Sequence, residues 1–339
     1  MTNRLSRLLE TRDWLLADGA TGTNLFNMGL MAGDAPEFWN VNETAKIKAL
    51  YKGAVDAGSD IFLTNTFGGN AARLKLHDGQ DRVFELNKAG AEIAREVADA
   101  SGRSVVVAGS VGPTGEIMEP MGTLTYSSAV EMFHAQAEGL KAGGADVLWV
   151  ETISAPEEYK AAAEAALLAG MAWCGTMSFD TAGRTMMGLT SQGMSDMVEK
   201  LDHGPLAYGA NCGVGASDLL RTILGFAAQG AETPLIAKGN AGIPKYVDGH
   251  IHYDGTPELM ANYAVLARNS GATIIGGCCG TTPDHLVKMR AALEETPKGP
   301  RPTLDQITSA LGGFSSATDG TSDDEPVSTR RGNRRRRPT

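Results

Sequence analysis

The chain has 339 residues, of which 42% are hydrophobic and 21% charged, and its formal net charge is −10. This composition supplies enough apolar surface for a large core, which excludes a wholly disordered chain, and the negative charge disfavours nucleic acid and anionic membranes as partners. The sequence contains no run of about 18 uncharged apolar residues, and its first residues carry charges where a signal peptide needs an apolar run, so we expect a cytoplasmic protein.

Eight short apolar runs recur along the chain, and most are followed by an Ala-rich helical stretch. Because their apolar character is continuous rather than alternating, both faces of each run must be covered, as in a parallel sheet flanked by helices. Helix formers and terminal glycines mark the stretches between them. In chain order the predicted strands are 14–17, 60–67, 104–109, 146–153, 172–179, 207–213, 234–239 and 273–280.

Eight strand–helix units of this kind favour a single α/β domain, a closed (β/α)8 TIM barrel over residues 1–295. A doubly wound open sheet is the alternative, but it usually has fewer strands and carries G-x-G-x-x-G in its first turn, where this chain has DGATG at 18–22. Residues 296–339 read as a Pro/Ser/Gly-rich linker and an Arg-rich tail, which we predict to be disordered. The tail either lies in solvent or docks an acidic partner or nucleic acid.

Three of the four cysteines lie at predicted strand ends: Cys212 in the sixth run, and Cys278 and Cys279 in the eighth. The carboxyl ends of barrel strands form the active face, and the sixth and eighth strands flank the seventh, so we expect these thiols to face one another. Three thiolates with one open position are typical of a catalytic zinc site, where a substrate thiol loses its proton and accepts an alkyl group. The alternative is a small buried hydrophobe, as we expect of Cys174 inside the fifth run.

The string GGCCGTTP at 276–283, with GANC at 209–212 upstream, resembles the zinc-binding signature of homocysteine S-methyltransferases. The resemblance runs from about residue 13 to residue 292 and includes DGATGT at 18–23, TNTF at 64–67, GSVGPT at 109–114, VET at 150–152 and NAG at 240–242. It implies methylation of homocysteine to methionine. It also implies Zn²⁺ on Cys212, Cys278 and Cys279, with the homocysteine sulfur in the fourth position.

By the same resemblance, Asp18 and Glu151 receive the amino group of homocysteine, and backbone amides near Gly109 and Ser110 receive its carboxylate. In some members of the family an Asn at the position of Asn240 fills the open position of the zinc before the substrate arrives, and the resemblance implies the same role for Asn240 here. We count Glu151 with the three cysteines among the catalytic candidates, since an ammonium group needs a carboxylate inside the predicted mouth. The plainer alternatives are a turn residue for Asp18, a helix N-cap neighbour for Glu151, and ordinary turns for the glycines.

The sequence leaves the methyl donor open. Betaine-using members enclose the quaternary ammonium with aromatic rings, whereas this chain has FGG at 67–69 and Glu151-Thr152 where that branch places tyrosines. The motifs are more similar to the homocysteine domain of cobalamin-dependent methionine synthase, although Trp39, Tyr126 and Trp149 remain candidates for a cage. The donor is therefore a small onium compound (betaine or S-methylmethionine) or methylcobalamin on a separate corrinoid protein, for which the Arg-rich tail is a candidate docking arm.

Two other functions remain open. One is a phosphate-binding TIM-barrel enzyme of small-metabolite metabolism, which would use Lys238-Gly239 and Gly276-Gly277 at the seventh and eighth strand ends. The other is a non-catalytic barrel that binds zinc and homocysteine without turnover. The phosphate interpretation assigns no role to the adjacent cysteines.

Overall fold

An eight-stranded parallel sheet forms the centre of the molecule in a computed structural model, which describes residues 3–243, 245–247 and 250–320. Its strands are β1 (Leu15–Leu16), β2 (Ile61–Leu63), β3 (Val106–Val111), β4 (Val147–Ile153), β5 (Trp173–Met177), β6 (Tyr208–Cys212), β7 (Leu235–Gly239) and β10 (Ala272–Gly277). β8 (Lys245–Val247) and β9 (His250–His252) form a separate antiparallel hairpin after β7.

The sheet order is β1-β10-β7-β6-β5-β4-β3-β2. β1 and β2 meet at the remaining edge, where the amide of Asp60 donates to the carbonyl of Leu16 and Ala17 forms a parallel bridge with Ile61. The prediction of a (β/α)8 TIM barrel is therefore confirmed. Each of the eight predicted runs overlaps one of these strands, although β3 extends past its predicted end and β10 begins one residue before its predicted start.

Helices cover the outside of the barrel and connect its strands. Proline begins three of them, at Pro156, Pro257 and Pro283, because its fixed φ suits the first helical position. The helices are α1 (Arg4–Thr11), α2 (Gly22–Asn27), α3 (Trp39–Asn42), α4 (Thr44–Asp56), α5 (Ala71–Leu74), α6 (Val83–Ala100), α7 (Tyr126–Ala142), α8 (Pro156–Leu168), α9 (Ser191–Val198), α10 (Ala216–Ala228), α11 (Pro257–Ser270), α12 (Pro283–Glu295) and α13 (Leu304–Leu311). No described helix is both long and apolar enough to cross a membrane.

Two hydrophobic layers hold the barrel together. The larger lies between the sheet and the surrounding helices, and the smaller fills the barrel interior, where Trp149 is fully buried. Cys174 belongs to the inner layer, which confirms the expectation that it is a core residue. Because strands are covered on both faces, their sequences are continuously apolar.

The chain after the barrel packs against α10. Ile307 in α13 is fully buried, and the guanidinium of Arg221 lies 4.4 Å from the ring of Phe314. Asp218 accepts a hydrogen bond from the amide of Ser315. Here the structure differs from the expectation of disorder from residue 296 onward, because two apolar side chains find a covered position on α10. The arginines of the tail lie outside the described residues.

Candidate metal centre and substrate site

Three cysteine sulfurs lie together at the carboxyl end of the barrel. Cys212 is the last residue of β6, and Cys278 and Cys279 directly follow β10. The Sγ atoms of Cys212 and Cys279 are 3.7 Å apart, and all three sulfurs lie within 4.8 Å of one another. All three cysteines are partly exposed, unlike Cys174. The expectation that these thiols face one another is therefore confirmed, and we call this group the sulfur cluster.

Sharp turns of the backbone aim the cysteines at one another. Cys212 has a φ of 60°, in the left-handed region that residues with a side chain rarely adopt, and Gly213 and Gly280 continue the turns with φ of 72° and 79°. The amide of Cys278 donates to the carbonyl of Gly239 at 2.7 Å, which fixes the adjacent cysteines against the end of β7. Backbone strain of this kind concentrates at functional sites.

The side chain of Asn211, in β6, forms hydrogen bonds to the ends of three other strands around the sulfur cluster. Its Oδ1 atom accepts hydrogen bonds from the amide of Thr152 (2.9 Å) and the hydroxyl of Thr176 (2.7 Å). Its Nδ2 atom donates to the hydroxyl of Thr152 (2.8 Å) and to the sulfur of Cys278 (3.8 Å). The side chain thus connects the ends of β4, β5, β6 and β10. In the sequence Asn211 stands out only as part of the GANC motif, and this bracing role could not be predicted from it.

The donor set and spacing of the sulfur cluster fit Zn²⁺. A tetrahedral zinc with Zn–S bonds of about 2.3 Å places its sulfurs about 3.8 Å apart, close to the observed 3.7 Å between Cys212 and Cys279. Thiolates are soft ligands that favour zinc over hard cations such as Mg²⁺. The pKa of Cys279 is lowered because its sulfur accepts hydrogen bonds from the thiols of Cys212 and Cys278.

A buried ion pair, which the sequence did not predict, lies next to the sulfur cluster. The Nζ atom of Lys238, on β7, lies 2.6 Å from Oδ1 of Asp18, which follows β1. The amide of Leu63 donates to the other oxygen of Asp18 at 2.8 Å. Lys238 is only 2% exposed, and its ammonium lies 5.7 Å from the ring of Trp149. Both carboxylate oxygens of Asp18 therefore have protein partners.

Glu151, in β4, is the second carboxylate of the site. Its Oε1 atom accepts a hydrogen bond of 2.5 Å from the hydroxyl of Ser110. Burial raises its pKa to about 7, although the positive charge of Lys238 lowers it, and negative charge on the sulfur of Cys278 adds to the rise. Glu151 is therefore a nearly enclosed carboxylate that accepts a proton more readily than an exposed one. A cation beside it would stabilise the ionised form.

Three other predicted site residues have structural partners of their own. The amide of Ser110 donates to the hydroxyl of Thr64 at 3.0 Å. A side chain on Gly109 would point at Leu140 on α7, with its Cβ 2.8 Å from that residue. Asn240 braces two loops, because it accepts from the amide of Cys279 at 3.1 Å and donates to the carbonyl of Gly213 at 3.0 Å. Their roles toward the substrate and the metal stay predictions.

Exposed apolar side chains surround the mouth of the barrel. Seven of them, on the segments that follow β1, β3, β5 and β7, are between 46% and 78% exposed. Because these segments leave the carboxyl ends of the strands, they share the face that carries the sulfur cluster. This apolar rim consists of Phe26, Met31, Ile117, Met121, Met186, Met187 and Ile243.

Comparison with known proteins identifies a family and a fold. Residues 15–293 match the family described as homocysteine S-methyltransferase. The chain is 30% identical over 296 residues to the methionine synthase of Mycobacterium tuberculosis, an alignment that covers 82% of this chain and 24% of that protein. It is also 30% identical over 314 residues to the methionine synthase of Mycobacterium leprae, covering 87% of this chain and 26% of that protein. The chain thus spans about a quarter of the length of these curated relatives.

Among solved structures, the metallated form of the homocysteine methyltransferase MmuM from Escherichia coli is similar, with a TM-score of 0.70 and 23% identity. That alignment covers 85% of this chain and 99% of the other. The oxidized form has the same TM-score at 24% identity. At this level of identity the likeness concerns the fold.

Proposed function

The chain belongs to the homocysteine S-methyltransferase family and is a methyltransferase, and we propose that it forms methionine from homocysteine with Zn²⁺ held by Cys212, Cys278 and Cys279. The observation that carries the proposal is the sulfur cluster, whose three thiols converge at the mouth with the spacing of a zinc site. Zn²⁺ bound there would lower the pKa of a substrate thiol, so that the substrate reacts as a thiolate at neutral pH.

The residues of the chain would bind and orient the amino acid. Glu151 and Asp18 supply negative charge for the α-ammonium group, and the hydroxyl of Ser110 holds Glu151 in place. The substrate sulfur then forms a bond to the methyl carbon as the bond from that carbon to the donor breaks, and the thiol proton leaves to solvent. Holding sulfur and methyl group in line supplies most of the acceleration in a reaction of this kind.

We propose a methylated corrinoid on a separate protein as the donor. Two observations support this choice. The relatives are methionine synthases of which this chain matches about a quarter, and the segments that leave the carboxyl ends of the strands carry the seven exposed apolar side chains of the rim. Exposed apolar side chains at the mouth favour a protein partner, since apolar surface patches mark interaction sites.

Small onium donors remain the alternative, and the three aromatic candidates for a cage do not favour them. Trp149 is fully buried, the ammonium of Lys46 lies 4.3 Å from the ring of Trp39, and the hydroxyl of Tyr126 donates to Glu164. The rings of Trp149 and Trp39 are therefore engaged, and Tyr126 is held through its hydroxyl by a residue of α8. A cage for a quaternary ammonium needs free aromatic faces that converge on one point.

Methionine formation tests the proposal. Zinc-loaded protein is incubated with homocysteine and, in separate reactions, a methylcobalamin-loaded corrinoid protein, free methylcobalamin, betaine or S-methylmethionine. We expect methionine, with the highest rate from the corrinoid protein. Methionine from betaine or S-methylmethionine alone would overturn the donor assignment but keep the activity, and no methionine with any donor would contradict the activity.

The same assay separates the two competing functions. A phosphate site at the strand ends would need free amides, whereas the amide of Gly239 donates to the hydroxyl of Tyr263 and that of Gly277 to the carbonyl of Asp18. Lys238, the cation such a site would use, is paired with Asp18. A barrel that only binds homocysteine would produce no methionine.

A further inference from the structure

A cavity lies at the end of the barrel opposite the sulfur cluster, and we call it the arginine cavity. α1, which precedes β1, lines it with Arg4 and Arg7, and the segment between α6 and β3 lines it with Arg103 and Ser104. Because both segments lead into strands, the cavity lies at the amino ends of the strands. Its volume of about 520 Å³ is in the range of small-ligand sites.

Two of the three arginines in the cavity are fixed by neutral partners. The Nη2 atom of Arg103 donates to the carbonyls of Val55 at 2.6 Å and Ser59 at 3.1 Å. The Nη1 atom of Arg4 donates to the carbonyl of Val105 at 2.8 Å. A carbonyl oxygen holds a guanidinium in place without neutralising it, so both cations are positioned and keep their charge.

The carboxylates nearest to the arginine cavity have another cation as their closer partner. Asp146 lies 3.8 Å from Nη1 of Arg4 but 3.0 Å from Nη1 of Arg95. Asp99, the carboxylate in the lining, accepts a hydrogen bond from Nε of Arg95 at 2.9 Å. Three guanidinium groups and one carboxylate give the lining a net charge of +2, on a chain whose formal net charge is −10.

The lining also offers hydrogen-bond donors to a ligand. Within the part of the chain that the structure describes, the guanidinium of Arg7 and the hydroxyl of Ser104 have no hydrogen-bond partner. Arg4 and Arg103 each use one terminal nitrogen for carbonyl oxygens, which leaves their other N–H groups for a ligand. The planar fork of a guanidinium matches the oxygens of a phosphate group.

We propose that the arginine cavity binds a small anion that carries a phosphate group, either inorganic phosphate or a phosphate monoester. A phosphate monoester carries a charge of about −1.5 to −2 at pH 7, which matches the charge of the lining. The bound anion would contact Arg4 and Arg7 on α1 and Arg103 and Ser104 before β3. It would therefore join α1 to the barrel, at a distance from the sulfur cluster.

Binding of the anion would stabilise the closed amino end of the barrel. α1 closes this end, since Leu5 and Leu8 belong to the inner hydrophobic layer. Three like charges around one cavity repel one another, and an anion between them replaces this repulsion with attraction. A ligand that binds only the folded chain raises its stability, and one that joins α1 to the barrel slows hydrogen exchange in α1.

Calorimetric titration of the full chain with inorganic phosphate and, separately, with glycerol 3-phosphate tests the proposal. Chloride keeps the ionic strength constant. Two charge-assisted hydrogen bonds correspond to a Kd of about 1 mM, which is the affinity that we expect. At about 20 mM phosphate the midpoint of thermal unfolding should then rise by about 2 to 4 °C. Similar affinities would assign the site to the phosphate group alone, and tighter binding of glycerol 3-phosphate would assign it to a monoester.

Two variants locate the site, and a third is the matched control. In Arg7→Gln and in Arg103→Gln we expect the affinity for phosphate to fall about tenfold. Arg7 is exposed and has no partner among the described residues, so its variant does not depend on tolerating a lost internal contact. Arg82→Gln removes the same charge directly before α6, at the end remote from the cavity, and should stay within about twofold of the wild type.

Three results would overturn the inference. The first is a wild type that binds neither phosphate compound beyond the effect of chloride. The second is wild-type affinity in both Arg7→Gln and Arg103→Gln, which would place the anion elsewhere, for example at the mouth. The third is unchanged hydrogen exchange in α1 on addition of phosphate, measured by mass spectrometry. None of these measurements uses homocysteine or a methyl donor, so the proposed function is tested separately.

Discussion

Burial of Glu151 couples the stability of the protein to pH. The pKa of this carboxyl rises from its ordinary value of 4.5 to about 7, with burial as the main cause. The folded state therefore keeps a proton that the unfolded state releases between these two values, so the folded protein loses stability as the pH rises through this window. At about 1.4 kcal/mol per pH unit, the full effect is about 3 kcal/mol, complete above pH 7.

The substitution Glu151→Gln removes this linkage. Urea unfolding of the metal-free wild type and variant, at about pH 5 and about pH 8, gives the free energy of unfolding of each. We expect the wild type to lose about 2 to 3 kcal/mol relative to the variant between these conditions. Glu157→Gln, at an exposed position of α8, serves as the control and should follow the wild type. Parallel pH dependences for the wild type and Glu151→Gln would refute the reasoning.

Three further substitutions test the supports of the site. Asn211→Ala removes the hydrogen-bond partner of three groups at the strand ends, of which the hydroxyl of Thr176 is buried. We therefore expect the free energy of unfolding to fall by about 1 to 3 kcal/mol in urea, and a change below about 0.5 kcal/mol would contradict its bracing role. Gly276→Ala would place a Cβ 2.9 Å from that of Ala17. We expect the free energy of unfolding to fall by about 1 to 3 kcal/mol in the same assay. A variant as stable as the wild type would contradict this close approach. Phe314→Ala removes the contact with Arg221, so we expect the free energy of unfolding to fall by about 1 to 2 kcal/mol. The zinc content should stay unchanged, and an altered zinc content would show that the effect of this contact extends to the metal site.

The barrel was predictable because each of its strands has a recognisable local sequence pattern. Continuous apolar runs followed by helix formers identified all eight strands, and only the ends were uncertain. The run at 60–67 was predicted as one strand, whereas β2 ends at Leu63. Beyond Leu63, side-chain hydroxyls take part in the pairing with β3: Thr64 and Thr66 are joined through their hydroxyls at 2.6 Å, and both hydroxyls bond to the backbone of Ser110. An apolar pattern does not reveal where ladder pairing gives way to such bonds.

The site was predictable to the extent that topology alone positions it. The cysteines could be placed together because they end strands on either side of β7 in the predicted barrel. The pairing of Lys238 with Asp18 could not be predicted, since the two residues are 220 positions apart and their contact depends on the register of β7, β10 and β1. The contact of Phe314 with α10 was not predicted either, because a single aromatic residue in a polar segment gives no periodic pattern.

Zinc content is the measurement that tests the central claim most directly. Purified wild-type protein, analysed for metal by mass spectrometry, should contain about one zinc per chain, since three thiolates and one open position hold a single ion. Cys278→Ala should lose both the zinc and methionine formation, whereas Cys174→Ala, which removes a thiol from the barrel core, should retain both. Full zinc content and activity in Cys278→Ala would contradict the account.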